Sequence, residues 1–168
     1  MKRIAILSDT HGTLLPDLHP YLREVDLILH AGDVGSPGVI SELQALAPTL
    51  AVYGNIDGDP LRSTLPEVLV TEEAGVRILM MHIGGYPGKY TPQALRLIEE
   101  KRPRLFISGH SHILKVMPDS KRMPLLHINP GAAGLSGWHT MRTLVRLTLD
   151  GGNMSNLEVI ELPRSPHL

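Results

Sequence analysis

The stretch Arg104-Leu105-Phe106-Ile107-Ser108-Gly109-His110-Ser111-His112 decides the reading of this chain. Its first four residues form an apolar run of strand length, which stops at a glycine. Two histidines follow, two positions apart. On an extended backbone their side chains would diverge to opposite faces. Imidazoles that point apart do not readily share one metal ion, but each can serve one ion of a pair. The expectation is a two-metal site.

The same pattern recurs four times upstream. Ile4-Ala5-Ile6-Leu7 leads into Asp9 and His11, Leu27-Ile28-Leu29 into Asp33, Leu50-Ala51-Val52-Tyr53 into Asn55, and Val76 to Met81 into His82. Each apolar strand delivers a metal-competent side chain just past its C-terminal end, where ligand sites of α/β sheets collect. Glycines beside four of the five clusters permit tight turns there. Any one Asp or Asn past a strand is explained by turn capping. Seven such residues with four histidines among them favour metal ligation. Mixed carboxylate, amide and imidazole donors suit manganese, iron, zinc, nickel or cobalt without choosing among them, and manganese is taken as the first candidate.

The ordered motifs D-x-H, G-D, G-N-x-D, H and G-H-x-H resemble those of the calcineurin-like metallophosphoesterases, and most of all their small single-domain bacterial and archaeal phosphodiesterases. The resemblance runs from residue 4 to Gly131. It implies one domain over residues 1–168, a four-layered α-β-β-α sandwich of two facing mixed sheets flanked by helices. It implies a dinuclear centre: Asp9, His11, Asp33 and His112 would hold one ion and Asp33, Asn55, His82 and His110 the other, with Asp33 bridging. The implied reaction is hydrolysis of a small or nucleotide-like phosphodiester by in-line attack of a metal-bridging hydroxide, Asp33 and the Asn55 amide serving catalysis. The alternative is a catalytically weak protein-interaction scaffold of the same fold, similar to the retromer vacuolar-sorting subunit.

Departures from the family pattern matter. Ile56 stands where larger members have a histidine suited to protonating the leaving group. Asp57 would then orient His11 rather than replace that acid. Tyr53 stands where relatives often carry arginine, which puts one phosphate contact in doubt. His30 and His127, at strand ends, fit either a supporting role behind the ligands or plain core positions. His139, beside Trp138, could line the cleft. Asn129-Pro130-Gly131 looks like the N-P-G segment that follows the last ligands in the family.

Composition bounds the rest. The 168 residues suit one domain with a real core. No segment is long and apolar enough for a membrane span, and the first residues read as a strand rather than a signal peptide. Cysteine is absent, so disulfides and thiolate sites are excluded, and the expected location is cytoplasmic. A net charge of −1 without basic runs, and 4% aromatic residues, disfavour a dedicated nucleic-acid surface. Trp138 and Met141 could support a homodimer, which no motif specifies. The chain alternates strands and helices to Asn55, with an irregular helix over Leu14 to Val25 and one starting at Ser36-Pro37. Hairpins follow at Glu73-Ala74-Gly75 and Asp150 to Asn153, a helix runs from Thr91 to Arg102, and the tail from Pro163 reads as loose.

Overall fold

Alternating apolar side chains on the central strands face two layers at once, and the tertiary structure is built on that alternation. In the computed structural model, which describes residues 1–164, ten strands form two sheets. They are β1 (Lys2–Leu7), β2 (Leu27–His30), β3 (Thr49–Ala51), β4 (Val68–Glu73), β5 (Val76–Met81), β6 (Leu105–Ile107), β7 (Lys115–Pro118), β8 (Leu126–Asn129), β9 (Met141–Asp150) and β10 (Asn153–Pro163). One sheet has the order β10-β9-β1-β2-β3, the other β4-β5-β6-β8-β7. Both are mixed. β1 is central, parallel to β2 and antiparallel to β9, while β5, β6 and β8 run parallel beside the antiparallel β4 and β7.

Ile4 and Ile6 of β1 meet Ile78, Met80 and Ile107 in the layer between the sheets. Their neighbours Ala5 and Leu7 face the other way, onto Leu18, Leu22, Val39 and Leu43. On the second sheet Leu79 and Phe106 turn outward to Ala94 and Ile98. Strands buried on both faces therefore read as continuous apolar runs, and the result is helix, sheet, sheet, helix.

The helices follow their local chemistry. Pro37 at the first position opens α2 (Pro37–Leu46), although the Ser36 hydroxyl makes no capping bond. Thr91 caps α4 (Pro92–Lys101) by accepting from the Ala94 amide, and Arg102 ends it in a left-handed conformation. Leu14 to Val25 yields only a 3-10 turn over Pro16–Leu18 and a single helical turn, α1 (His19–Leu22), because Pro20 denies a longer ladder. A further turn of helix, α3 (Leu61–Thr64), has no counterpart in the apolar periodicity; four residues are too few to display one. The Asp150 to Asn153 turn joins β9 to β10 as expected. The loose tail expected from Pro163 is corrected at its start, where Pro163 pairs with Met141 at the end of β10 and Arg164 donates to the His139 and Leu135 carbonyls; from residue 165 onward it lies outside the described residues.

Candidate metal centre

The parallel strand ends of the two sheets meet along one edge, where loops from both interlock. Ala133 and Gly134 amides donate to the Ser8 and Asp9 carbonyls, and the Gly109 amide donates to the His82 carbonyl. Approach is so close that a Cβ at Gly109 would collide with Ser8 Oγ, and one at Gly54 with Asp33 Oδ1. These two glycines are fixed by sterics.

Five of the seven sequence-predicted ligands adopt positive φ: Asp9 (57°), His11 (50°), Asp33 (54°), His110 (74°) and His112 (63°). Non-glycine residues enter this region at an energetic cost, and such outliers gather at functional sites. The extended backbone expected at Gly109 to His112 is therefore incorrect. The two histidines do separate, but through left-handed turns rather than strand alternation.

All seven residues come to this edge. Asp9, His11 and His112 form one group whose ligand atoms lie within 4.8 Å of one another, and Asp33, His82 and His110 form a second. Asp33 Oδ2 lies 3.5 Å from His11 Nε2 and 3.2 Å from His82 Nε2, so one oxygen reaches a histidine of each group. Asp9 Oδ1 also approaches both, at 3.2 Å from His112 Nε2 and 3.8 Å from His82 Nε2. Asn55 joins the second group through Oδ1, 3.1 Å from His110 Nδ1.

The donor atoms fit metal ions. Asp9 Oδ1, His11 Nε2 and His82 Nε2 are buried and have no hydrogen-bond partner. Atoms left so cost about 1–3 kcal/mol each unless something meets them. His82 Nδ1 sits 2.7 Å from the Ala31 carbonyl, to which it must donate its proton; Nε2 is left with a lone pair facing the group. The electrostatics agree. Burial raises the Asp9 carboxyl, but His11, His112, His82 and Ser8 together hold it far below the usual carboxylate range. Asp9 pushes His11 up, and His82 is raised against its burial by Asp33 and Asp9. The centre demands positive charge, which protons supply when no cation does.

Supporting residues emerge that single strand ends do not reveal. Ser8 donates to Asp9 Oδ2 at 2.5 Å, and the His110 amide donates to the same oxygen at 3.2 Å. Fully buried His30 accepts from the Gly32 amide at Nδ1 and donates from Nε2 to the Thr10 hydroxyl, which in turn donates to the Val34 carbonyl. It ties the Asp9 and Asp33 loops together, so its role is support. Asn129 donates to the Gly109 carbonyl and the Ser111 hydroxyl, pinning the paired-histidine loop.

Asp57 differs from expectation. Its carboxylate accepts from the Val34, Gly35 and Gly54 amides and joins the Asp33 loop to the Asn55 loop rather than orienting His11. Backbone amides simply outcompete a more distant imidazole. His139 packs edge-on against His112, ring centroids 5.5 Å apart, while its Nε2 donates to the Gly134 carbonyl at 2.7 Å. It backs a ligand rather than lining open cleft. The adjacent sequence pairs Ser8-Asp9 and Trp138-His139 carried weak hints of these roles.

Two cavities open beside the second group. One, of about 360 Å³, is lined by Tyr53, Asn55, Arg62 and His82. Arg62, a residue the sequence pattern did not mark, donates from Nε to the Asp57 carbonyl and lays its guanidinium 4.6 Å from the Tyr53 ring centroid. The other, of about 200 Å³, adjoins His110.

A model of the calcineurin-like phosphoesterase superfamily domain matches residues 1–152. The chain belongs to that superfamily. A probable metallophosphoesterase of Methanothermobacter thermautotrophicus is 34% identical over 136 residues, covering 77% of this chain and 76% of that protein. Among solved structures, an archaeal phosphodiesterase superposes with a TM-score of 0.64 at 24% identity, covering 95% of this chain and 99% of that one. Vps29 of Entamoeba histolytica, solved in complex with zinc, gives 0.73 at 16% identity, covering 97% and 99%. At those identities the two structures share a fold with this chain. Among the described residues no helix is long and apolar enough to cross a membrane.

Proposed function

We propose that this chain is a two-metal phosphodiesterase acting on a small or nucleotide-like diester. Asp9, His11, His112 and Asp33 hold one ion in this reading, and Asp33, Asn55, His82 and His110 the other, with manganese the first candidate. The observation that carries it is the convergence of unpartnered, buried Asp9 Oδ1, His11 Nε2 and His82 Nε2 around an Asp33 oxygen within reach of both groups. Bound there, two divalent ions would supply Lewis acidity to a phosphoryl oxygen and would lower the pKa of a water into the neutral range.

The chain's own residues supply the rest. Asp33 is positioned between the groups by the Ile56 amide, which donates to Oδ1 at 3.1 Å. The Asn55 side chain stands at the second group, where its amide can meet charge that develops on the equatorial oxygens. Arg62 offers a guanidinium at the wall of the same cavity. Protonation of the leaving group is the missing step. Ile56 is 48% exposed and has no proton to give. His139 spends Nε2–H on a backbone carbonyl, and burial lowers its basicity. The enzyme therefore favours diesters with good leaving groups. Ile56→His is expected to accelerate hydrolysis of poor leaving groups by up to ~10²-fold; an unchanged rate would remove this explanation.

The deciding experiment is hydrolysis of bis-p-nitrophenyl phosphate by metal-stripped protein, titrated with Mn²⁺ and then with Fe, Zn, Ni and Co ions. Metal-dependent turnover in the wild type, lost by about 10³-fold or more in Asp33→Ala, is the expected result. Absence of turnover with every ion would shift the reading to a Vps29-like scaffold, whose support is the shared fold. Retention of all seven ligand-type residues favours the enzyme. The absence of cysteine supports a cytoplasmic location, and exposed Trp138 and Met141 leave a surface on which a homodimer can be sought.

A further inference from the structure

His127 packs its ring against Phe106 in the core, centroids 5.3 Å apart, yet one of its ring nitrogens is left without a partner. It lies on β8 opposite Phe106 of β6, and its Nδ1 is 3.1 Å from the Phe106 carbonyl. A carbonyl brings no proton, so Nδ1 carries the hydrogen and donates. Burial pushes this imidazole down to about 4, so the ring is neutral at physiological pH. Nε2 is then a bare acceptor. It is buried and has no partner, although a buried acceptor normally finds one.

His127 is among the residues that line the cavity of about 200 Å³ beside His110, and with the Nδ1 edge tied to β6 only the Nε2 edge is left to meet an occupant. Ile83, Ile113 and Tyr86 make its walls largely apolar. Lys115 sits at Tyr86, its Nζ 3.7 Å from the ring centroid. Ser111 accepts from the Asn129 side chain and the Ile113 amide, so its own hydroxyl proton is free to be donated. At ~30 Å³ per water the space far exceeds what one bridging water needs. A mostly apolar recess with few convergent polar groups is the common form of a small-molecule subsite. Here those groups are a buried acceptor, a hydroxyl donor and an ammonium.

We propose that this cavity is the subsite for one ester arm of the substrate: a single-ring heterocycle that presents an N–H to His127 Nε2 and carbonyl oxygens to Ser111 and Lys115. The inference rests on the two-metal phosphodiesterase reading, since His110 joins the recess to the second ligand group. It names the arm as of pyrimidine-imide type rather than plain aryl. The phosphoryl group would lie at the metal groups while the ring enters between Tyr86 and Ile113.

The test is calorimetric binding to the zinc-loaded full chain, a readout independent of turnover. Thymidine 5′-phosphate and its N3-methyl derivative are the probes, because methylation removes the N–H and keeps the ring. The wild type is expected to bind the unmethylated probe at least ~10-fold more tightly, and His127→Phe to bring that ratio to about one. Ile113→Trp, at a position 62% exposed, should weaken both probes by filling the recess; it serves should His127→Phe fail to fold. Equal affinity of the wild type for the two probes, or no binding of either, would overturn the subsite and leave a buried water as the partner of Nε2. A wild type that still hydrolyses bis-p-nitrophenyl phosphate in that case would keep the phosphodiesterase reading. One that shows no metal-dependent turnover while discriminating the probes would retain the subsite and lose the enzyme.

Discussion

Each candidate ligand group has an Asp-His-His core, to which the second adds Asn55, and the two are held in place by different means. In the group of Asp33, Asn55, His82 and His110, hydrogen bonds hold the side chains: the Ile56 amide on Asp33, the Ala31 carbonyl on His82, and one within the group between His110 Nδ1 and Asn55 Oδ1. In the group of Asp9, His11 and His112, only the carboxylate is so held, by Ser8 and the His110 amide. His11 and His112 instead stack edge to face, centroids 5.5 Å apart, and His139 packs edge-on against His112 as well. The second group is oriented by directional bonds from other loops, the first by ring packing. Directional bonds fix a donor atom's aim, whereas packing fixes a ring's volume, so the two groups should fail in different ways.

The comparison breaks hardest at Asp57. Its buried carboxylate satisfies three backbone amides that join the Asp33 and Asn55 loops. Asp57→Ala leaves them unpaired, and a loss of about 3–5 kcal/mol in unfolding free energy is expected. Denaturant melts measure that loss, and on the proposed two-metal reading metal analysis should show the ion of the Asp33 group lost before that of the Asp9 group. Loss of both ions together would mean that the groups are one unit.

His30 underlies both groups and should give an acid limb of stability. The unfolded imidazole takes its proton near 6.5, whereas burial, opposed in part by Asp9, Asp57 and Asp33, holds the folded one at about 4. Between those values the unfolded state binds more protons, so stability falls as pH drops from 6.5 through 4 and is unaffected above. The size is on the order of 3 kcal/mol. Unfolding of metal-free wild type and His30→Gln across this range measures it, and the variant should lose the slope. Parallel curves would assign the acid sensitivity elsewhere.

The smallest expected effect concerns the packed group. His139→Ala should weaken one of two ions by about 10–100-fold, while His139→Phe, which keeps a ring against His112, should largely preserve it. If both variants weaken the ion equally, the bond to the Gly134 carbonyl matters more than packing, and the contrast between the groups narrows.

Much of this was legible because strands and their exits are local phenomena. β1, β2, β5 and β6 declare themselves by apolar runs of two-faced burial, α2 and α4 by Pro37, Thr91 and the apolar positions between. The irregularity over Leu14 to Val25 followed from Pro16 and Pro20. What escaped had no local signal. α3 is one turn, too short for periodicity. The left-handed turns at His110 and His112 occur at non-glycine residues, where only the surrounding structure enforces positive φ. Asp57 found three amides from two loops that are neighbours only after folding, and Arg62 reached Tyr53 through a helix the pattern did not contain.

By itself, the sequence determined the donor types, their order, and their place at the C-terminal ends of buried strands, because alternation, glycine turns and side-chain chemistry act over a few residues. Only the tertiary structure decided which histidine meets which carboxylate, which ring nitrogen is left bare, and which histidine stays neutral. Those depend on the approach of loops far apart in the chain: Asp9 to His112, His82 to Ala31, His127 to Phe106. The physical reason is range. A lone pair or a shifted proton equilibrium is set by whatever lies within a few ångströms, and folding alone chooses those neighbours.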